Sequence, residues 1–299
     1  MLVSFCLLNY NSYLDTIECI DSLLKQTCNK FYVVIVDNCS TNDSVQQITN
    51  YLDVKEENYK TVKYNSIGFE SKNDVNYNNF RFIIITNTSN NGFSAGNNLA
   101  ILFLKKHLEC SHFILLNTDT VVVPDFFQLL NQEYIFAQNQ NNQPIAMGVA
   151  EKSYFSKEIT HFGYQFLHLP SGLVFSKCIF PSVKFICGAC LMTDINAPLL
   201  NENYFLYYED VDYTISLHKK NYKLIKTDKT YYFHKISSSM TNKQTMVKNQ
   251  FESMWKFYKR NYKLYIPVVF ITRILQYIVY FNYKKVALLL TTLFCSVDE

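Results

Sequence analysis

Residues 2–8, 31–36, 81–86 and 112–116 are short apolar runs of the length expected for buried β-strands. Each closes on a polar cluster: Asn9-Tyr10-Asn11-Ser12, Asp37-Asn38-Cys39-Ser40-Thr41, a loop at 87–91, and Asn117-Thr118-Asp119-Thr120. Segments with helical spacing lie between them. Over 13–26, Leu14, Ile17, Cys19, Ile20, Leu23 and Leu24 form one apolar stripe, and 43–52 follows a Thr/Asn/Asp/Ser cluster suited to an N-cap. A third helix runs to about residue 107, and Pro124-Asp125 opens a fourth. Strands and helices alternating at this spacing predict an α/β chain with a doubly wound, mainly parallel sheet. In such sheets the ligand crevice lies at the carboxyl ends of the strands.

The pattern loosens in two places. Residues 53–80 are polar and Asn-rich without a clear period, which reads as a surface insertion, and 145–182 reads only as mixed strand and loop. Regularity returns with a strand over 184–193, interrupted by Gly188-Ala189. The run Tyr204-Phe205-Leu206-Tyr207-Tyr208-Glu209-Asp210-Val211-Asp212 then leads into a helix over 211–220, and strand-like runs follow at 223–227 and 230–234. In the tail, 250–263 is amphipathic and basic, and 264–281 is apolar almost all round. Eighteen residues fall just short of the ~20 that span a bilayer, and Arg273 sits in their middle. The tail therefore reads as helices lying on the inner leaflet or docking on another subunit, with ordinary packing on the body as the alternative.

Charge sharpens this division. Residues 236–299 hold nine Lys/Arg against three Asp/Glu, whereas the first 235 hold 19 against 22, so the net +3 belongs to the tail. A body without net positive charge gives no footing for a nucleic-acid partner. Nine scattered cysteines, only Cys187 and Cys190 closely paired, suit reduced thiols in a cytoplasmic setting. Residues 2–8 lack the preceding basic segment of a signal peptide.

Candidate chemistry gathers at the strand ends. With only seven glycines in the chain, Gly92 and Gly96 just before a helix suggest close approach of a ligand and N–H groups suited to phosphate. The spacing is not Gly-x-Gly-x-x-Gly and follows the third strand, so a dinucleotide site is not indicated. Asp119 at the tip of the fourth strand could hold Mg²⁺ or Mn²⁺, or simply form an Asx-turn. His234 closes a strand as a second candidate ligand or as a structural histidine. Glu209 and Asp210 open a helix, where the macrodipole favours an ionised carboxylate able to accept a proton. Gly188 and Ala189 would leave room for a sugar.

In this order, Asn9-Tyr10-Asn11, Val36-Asp37-Asn38-x-Ser40-Thr41, Asn91-Gly92-Phe93-x-x-Gly96-Asn97-Asn98, Leu116-Asn117-x-Asp119-Thr120, Gly188-Ala189, Tyr208-Glu209-Asp210-Val211-Asp212 and His234 resemble the family 2 glycosyltransferases, especially their bacterial rhamnosyltransferase-like branch. The resemblance covers about residues 1–240. It implies the Rossmann-like GT-A fold over 1–240, followed by a helical extension over 241–299. By that resemblance Asp37 pairs with a uracil or thymine ring, and Asn9, Tyr10, Asn11 and Asn38 line the nucleoside pocket. Asn91, Gly92, Phe93, Gly96, Asn97, Asn117, Thr118, Gly188 and Ala189 border the nucleotide sugar. Asp119 and His234 hold Mg²⁺ or Mn²⁺, Asp210 is the catalytic base, and Glu209 stands beside it. Asn117 replaces the first acid of the family's Asp-x-Asp motif, which weakens the expected metal affinity.

The implied activity is inverting transfer of rhamnose, another hexose or an N-acetylhexosamine. The donor would be a dTDP- or UDP-sugar and the acceptor a glycan or lipid-linked saccharide of the cell surface. The implied place is cytoplasmic, peripheral to the inner membrane, with a homo-oligomer through the tail as a further expectation. Two alternatives remain. A sugar nucleotidyltransferase would carry a Gly-rich, basic loop after the first strand, which Asn9-Tyr10-Asn11-Ser12 lacks. A non-catalytic nucleotide- or glycan-binding relic would bind the donor without transferring the sugar.

Overall fold

A computed structural model describes residues 1–70, 75–235, 243–279, 285 and 289. In chain order its elements are β1 (Val3–Asn9), α1 (Tyr13–Leu24), β2 (Phe31–Asp37), α2 (Ser44–Val54), β3 (Tyr59–Asn65), β4 (Gly68–Phe69), β5 (Phe82–Asn87), α3 (Gly92–His107), β6 (His112–Asn117), β7 (Thr120–Val122) and α4 (Phe126–Asn139). There follow β8 (Ile145–Ser153), β9 (Ile159–Phe162), β10 (Gln165–His168), β11 (Leu173–Phe175), β12 (Ser182–Phe185), β13 (Cys190–Asp194), α5 (Glu209–Lys219), β14 (Lys223–His234), α6 (Lys243–Asn261) and α7 (Ile266–Val279). Among the described residues one large sheet runs β4-β3-β5-β2-β1-β6-β13-β8-β14-β7, with β9 beside β8. Strands β3, β5, β2, β1 and β6 are mutually parallel, as the alternation predicts.

The apolar strands are unbroken because both of their faces are covered. In β1 and β2, Phe5, Leu7, Val33 and Ile35 enter the core shared with α1, α2 and α4. Their neighbours Cys6, Val34 and Val36 enter a second core shared with α3 and α5. The chain leaves β1 toward β2 on one side and meets β6 on the other, so the crevice opens where the winding reverses. Asn9 pairs with Asp37, Asp37 with Thr86 and Leu8 with Asn117, which aligns the polar strand ends along one edge.

The structure corrects three expectations. The supposed insertion at 53–80 carries β3 and β4, which extend the sheet past β5. Only Val62 of β3 is buried: the strand lies next to the sheet's margin, flanked on its outer side by the two-residue β4, and so lacks the continuous apolar run that marks a central strand. The expected strand over 184–193 is two strands in different sheets. β12 joins a small antiparallel sheet with β10 and β11, and β13 lies between β6 and β8. The segments at 223–227 and 230–234 are one strand with an irregularity between Thr227 and Tyr231.

The tail packs on the body. Phe251, Met254, Phe257, Tyr258, Val269, Phe270 and Tyr277 form a third core with Leu167, Leu169, Phe185, Tyr204, Tyr208 and Val211. Leu264, Val268, Ile271, Leu275 and Ile278 stay exposed on the other side. No helix among the described residues is long and apolar enough to cross a membrane.

Gly92 couples two parts of this frame. It has φ +90°, and a Cβ there would lie 2.4 Å from the backbone oxygen of Phe205. A left-handed conformation costs a non-glycine residue roughly 1–3 kcal/mol before any overlap. Gly92→Ala is therefore expected to lower the unfolding midpoint by at least several degrees by differential scanning calorimetry, at ~2–4 °C per kcal/mol for a chain of this size. An unchanged midpoint would show that α3 and the Phe205 loop separate freely.

Candidate active site

Backbone pairing builds the first cluster. Thr120 of β7 pairs with His234 of β14, and the Lys235 N–H donates to the Asp119 carbonyl at 3.0 Å. This brings His234 Nε2 to 3.2 Å from Asp119 Oδ1. The other ring nitrogen, Nδ1, lies 2.8 Å from Glu151 Oε2. Glu151 stands at the end of the buried part of β8 and accepts from Tyr232 Oη at 2.9 Å and Thr160 Oγ1 at 2.7 Å. Buried His161 is 3.5 Å away. Beside Glu151, Lys235 Nζ reaches Asp15 and Glu18, each at 2.5 Å.

Charge follows from this geometry. Burial alone would lift the Glu151 pKa, but His161 and His234 override it and hold the carboxyl well below its usual range. Burial likewise opposes a charged His234, yet Asp119 and Glu151 raise its pKa to about 9. The imidazolium is thus clamped between two carboxylates. Glu151, His161 and Cys187 also present ligand atoms within 4.8 Å of one another. Burial pushes the Cys187 thiol up, which keeps it protonated.

The donor set fits a divalent cation. Asp119 Oδ1 and His234 Nε2 face each other, and Glu151 fixes the ring so that Nε2 points at Asp119, the arrangement that orients metal-bound histidines. One carboxylate and one imidazole favour Mn²⁺ over the all-oxygen preference of Mg²⁺.

Asp210 forms the second cluster. Tyr207 and Tyr208 both have positive φ, 71° and 64°, immediately before Glu209 opens α5. The Gly188 N–H donates to Asp210 Oδ2 at 3.3 Å and the Val211 N–H to Oδ1 at 2.8 Å. A Cβ at Gly188 would stand 3.3 Å from the Asp210 Cβ and 3.7 Å from the Phe93 ring, so the small residue admits both. The adjoining Ala189 carbonyl accepts the Asn117 N–H, which joins Asp210 to the strand end that carries Asp119.

The helix start does not dictate ionisation as the sequence suggested. Burial raises both pKa values; the neighbouring Asp210 charge pushes that of Glu209 up further, while the Gly188 and Val211 N–H donors partly hold Asp210 down. The third acid of the motif is structural. Buried Asp212 accepts from Tyr204, Asn201 and Asn261.

The nucleoside end differs from expectation in detail. Asn9 is fully buried, bound to Asp37 (2.6 Å), Ser40 (3.1 Å) and Thr16 (2.8 Å), and lies beneath the crevice instead of in its wall. Ser40 donates to both Asp37 oxygens. Tyr10 is exposed, and Asn11 Oδ1 accepts the Thr41 N–H at 2.8 Å, pinning the two loops together. Buried Asn38 ties Asn87, Asn90 and Gly92, Asn97 binds the Phe93 carbonyl, and Asn91 binds Ser89.

Gly92 and Gly96 are in contact with protein: a Cβ at Gly96 would lie 2.4 Å from Leu8 Cδ1. The N–H groups of Gly92 and Phe93 are taken by Asn90 and by the Phe205 carbonyl. The expected phosphate cradle at the start of α3 is therefore filled from within. Thr118 Oγ1 donates to the Leu8 carbonyl. Sequence reasoning missed Glu151, His161 and Lys235. A single acid ending a long apolar run at 145–150 was the available signal for Glu151.

This is the α/β GT-A fold of nucleotide-sugar transferases. The family model for glycosyl transferase family 2 matches residues 4–196, and the chain belongs to that family. No curated protein matches. Among solved structures, the likenesses are low in identity and broad in extent. S. aureus TarS is 14% identical with TM-score 0.50, covering 93% of this chain and 44% of its own. A mannosyltransferase from Pyrobaculum calidifontis, with GDP-Man and Mn²⁺, is 10% identical with TM-score 0.53, covering 99% and 75%. GalNAc-T7, with UDP, GalNAc and Mn²⁺, is 11% identical with TM-score 0.58, covering 85% and 48%. The chain thus spans less than half the length of the TarS chain it matches.

At pH 7 a cation entering between Asp119 and His234 must displace the imidazole proton, since metals bind the neutral ring. Calorimetric Mn²⁺ titration in buffers of different ionisation enthalpy should read close to one proton released per cation. Glu151→Gln is expected to weaken Mn²⁺ by about 10–100-fold, the usual cost of losing such an orienting partner. Equal affinity in the variant would remove Glu151 from the site.

Proposed function

We propose that the chain is an inverting glycosyltransferase. It moves rhamnose, another hexose or an N-acetylhexosamine from a dTDP- or UDP-sugar to a glycan or lipid-linked acceptor of cell-surface polysaccharide. One observation carries this reading: Asp210 at the start of α5, anchored on the Gly188 N–H, is tied through the adjoining Ala189 carbonyl and the Asn117 N–H to the turn where Asp119 faces His234. A proton acceptor and a candidate cation site at one crevice are what transfer from a sugar diphosphate requires. Asp37 Oδ1 accepts two donors and Oδ2 accepts one, which leaves a lone pair on Oδ2 for a pyrimidine N–H. Solved neighbours that hold UDP or GDP-Man with Mn²⁺ support the same reading.

In the reaction, an acceptor hydroxyl attacks the anomeric carbon from the face opposite the leaving diphosphate. Its proton passes to Asp210 as the new C–O bond forms. The old anomeric C–O bond breaks, and its electron pair leaves with the nucleoside diphosphate. Asp119 and His234 would hold Mn²⁺ or Mg²⁺, which supplies positive charge to that leaving group. Burial serves the base, because a carboxylate with a raised pKa is a stronger proton acceptor while still ionised near neutrality.

Asp210→Asn should lower turnover by about 10²–10⁴-fold and leave UDP affinity within a few-fold. In the wild type, kcat should fall as pH drops through the raised Asp210 pKa, so the acid limb should lie above the ordinary carboxylate range of about 4. An acid limb at or below pH 4, or a fully active variant, removes Asp210 from the role of base.

The proposed setting is the cytoplasmic face of the inner membrane. It rests on the exposed stripe of α7 beside Lys259, Arg260 and Lys263. The protein should co-sediment with phosphatidylglycerol vesicles and not with phosphatidylcholine vesicles; equal behaviour toward both counts against the membrane seat.

A further inference from the structure

A cavity of about 370 Å³ is lined in part by Asp210. Its size lies at the small-molecule end of binding pockets and suits a sugar unit. Asp210, Glu209 and Tyr208 form one wall; Gln165, Leu173 and Phe185 come from the small sheet; Gln250 and Arg273 come from α6 and α7.

Arg273 is the anomaly. Only 7% of it is exposed, and among the described residues no carboxylate pairs with it. Its guanidinium donates to the Gly172 carbonyl through Nη2 at 2.5 Å and to Gln276 through Nη1 at 3.2 Å. Buried Nε has no partner. A buried charge is costly unless it is paired, and a guanidinium matches carboxylate and phosphate oxygens. Gly172 lets α7 and Tyr208 close on it, since a Cβ there would stand 2.9 Å from Val269 Cγ2, 3.4 Å from Tyr208 Oη and 3.5 Å from Arg273 Nε. The backbone at Gly172, with φ +62°, also disfavours any larger residue.

The second unpartnered atom in this wall is Glu209 Oε2. Burial and the neighbouring Asp210 raise the Glu209 pKa, which favours the neutral acid, and a neutral acid does not repel an incoming anion.

We propose that this cavity is an acceptor subsite for a saccharide bearing an oxyanion, either carboxylate or phosphate, with Arg273 as the anion's partner. The proposal rests on the transferase reading for the word acceptor. The oxyanion site itself rests on the unpaired guanidinium. In this arrangement the Arg273 Nε–H donates to the anionic group, Glu209 bonds a neighbouring hydroxyl, and the reacting hydroxyl comes within reach of Asp210. Arg273 acts here as a specificity-determining residue, supplied by a helix outside the matched family region.

The test is a ligand-observed NMR titration of the full chain, saturated with UDP and Mn²⁺. The probes are methyl glucuronide, methyl glucoside 6-phosphate and neutral methyl glucoside. At least one anionic probe should bind about ten-fold or more tightly than the neutral one, and whichever binds better identifies the acceptor as a uronate or a sugar phosphate. R273Q should erase that preference, and R273K should restore part of it. Because a variant at Arg273 could fail to fold, Q165E provides an independent arm: a carboxylate placed in the cavity wall should weaken the anionic probes and spare the neutral one. Equal binding of charged and neutral probes overturns the proposal. So does an unchanged preference in folded R273Q, or in Q165E when R273Q does not fold. UDP is titrated separately into the same preparation. Failure of UDP to bind, with the anion preference intact, counts against the transferase reading alone.

Discussion

The buried carboxylate of Glu151 is the constraint on which the geometry of the Asp119–His234 pair depends. Removing a carboxylate from water costs several kcal/mol unless donors replace its hydration. Tyr232, Thr160 and His234 donate directly, and His161 adds its field from 3.5 Å. These partners come from β9 and β14, the two strands that flank this end of β8, so the satisfied charge ties the three strands together. It also decides which nitrogen of His234 faces Asp119. Backbone pairing of His234 with Thr120, and the Lys235 N–H to the Asp119 carbonyl, bring the turn that carries Asp119 beside His234, but Glu151 gives the ring its direction.

The Asp210 side depends on backbone groups. Gly188 and Val211 supply N–H donors, and Gly188 has no side chain to separate Asp210 from the strand ends. The two halves of the crevice are joined through consecutive residues, since Cys187 feels both Glu151 and Asp210, and Ala189 binds Asn117.

Much of this was legible in the residues. Central strands announced themselves because both faces are buried, and the polar clusters after 8, 36 and 116 marked the crevice edge. Asp119, His234 and Asp210 could be named because strand ends and a helix start expose charged groups. What stayed hidden was long-range pairing. β3 looked like loop because near the sheet's margin it buries only Val62. Gly92 and Gly96 looked like ligand-facing residues, whereas Phe205 and Leu8, distant in sequence, explain them. Asn9 and Asn38 looked like recognition groups, but their amides are spent on neighbouring loops. The raised Asp210 pKa also lay out of reach, because the macrodipole is local and the desolvation that outweighs it comes from the whole fold.

Tyr207 and Tyr208 give the C-terminal helices a meaning that no boundary at residue 240 conveys. Two successive left-handed residues without glycine hold the backbone in a conformation that an isolated loop would abandon. Phe257 packs on the Tyr208 ring, Ser253 donates to the Leu206 carbonyl, and Asn261 and Arg260 reach Asp212. The helices thus act as a clamp on a sprung segment. A chain ending at residue 240 would keep the sheet and Asp210 but lose the packing that holds Tyr207 and Tyr208 in place, so the segment in front of Asp210 depends on helices far beyond the family-matched residues 4–196.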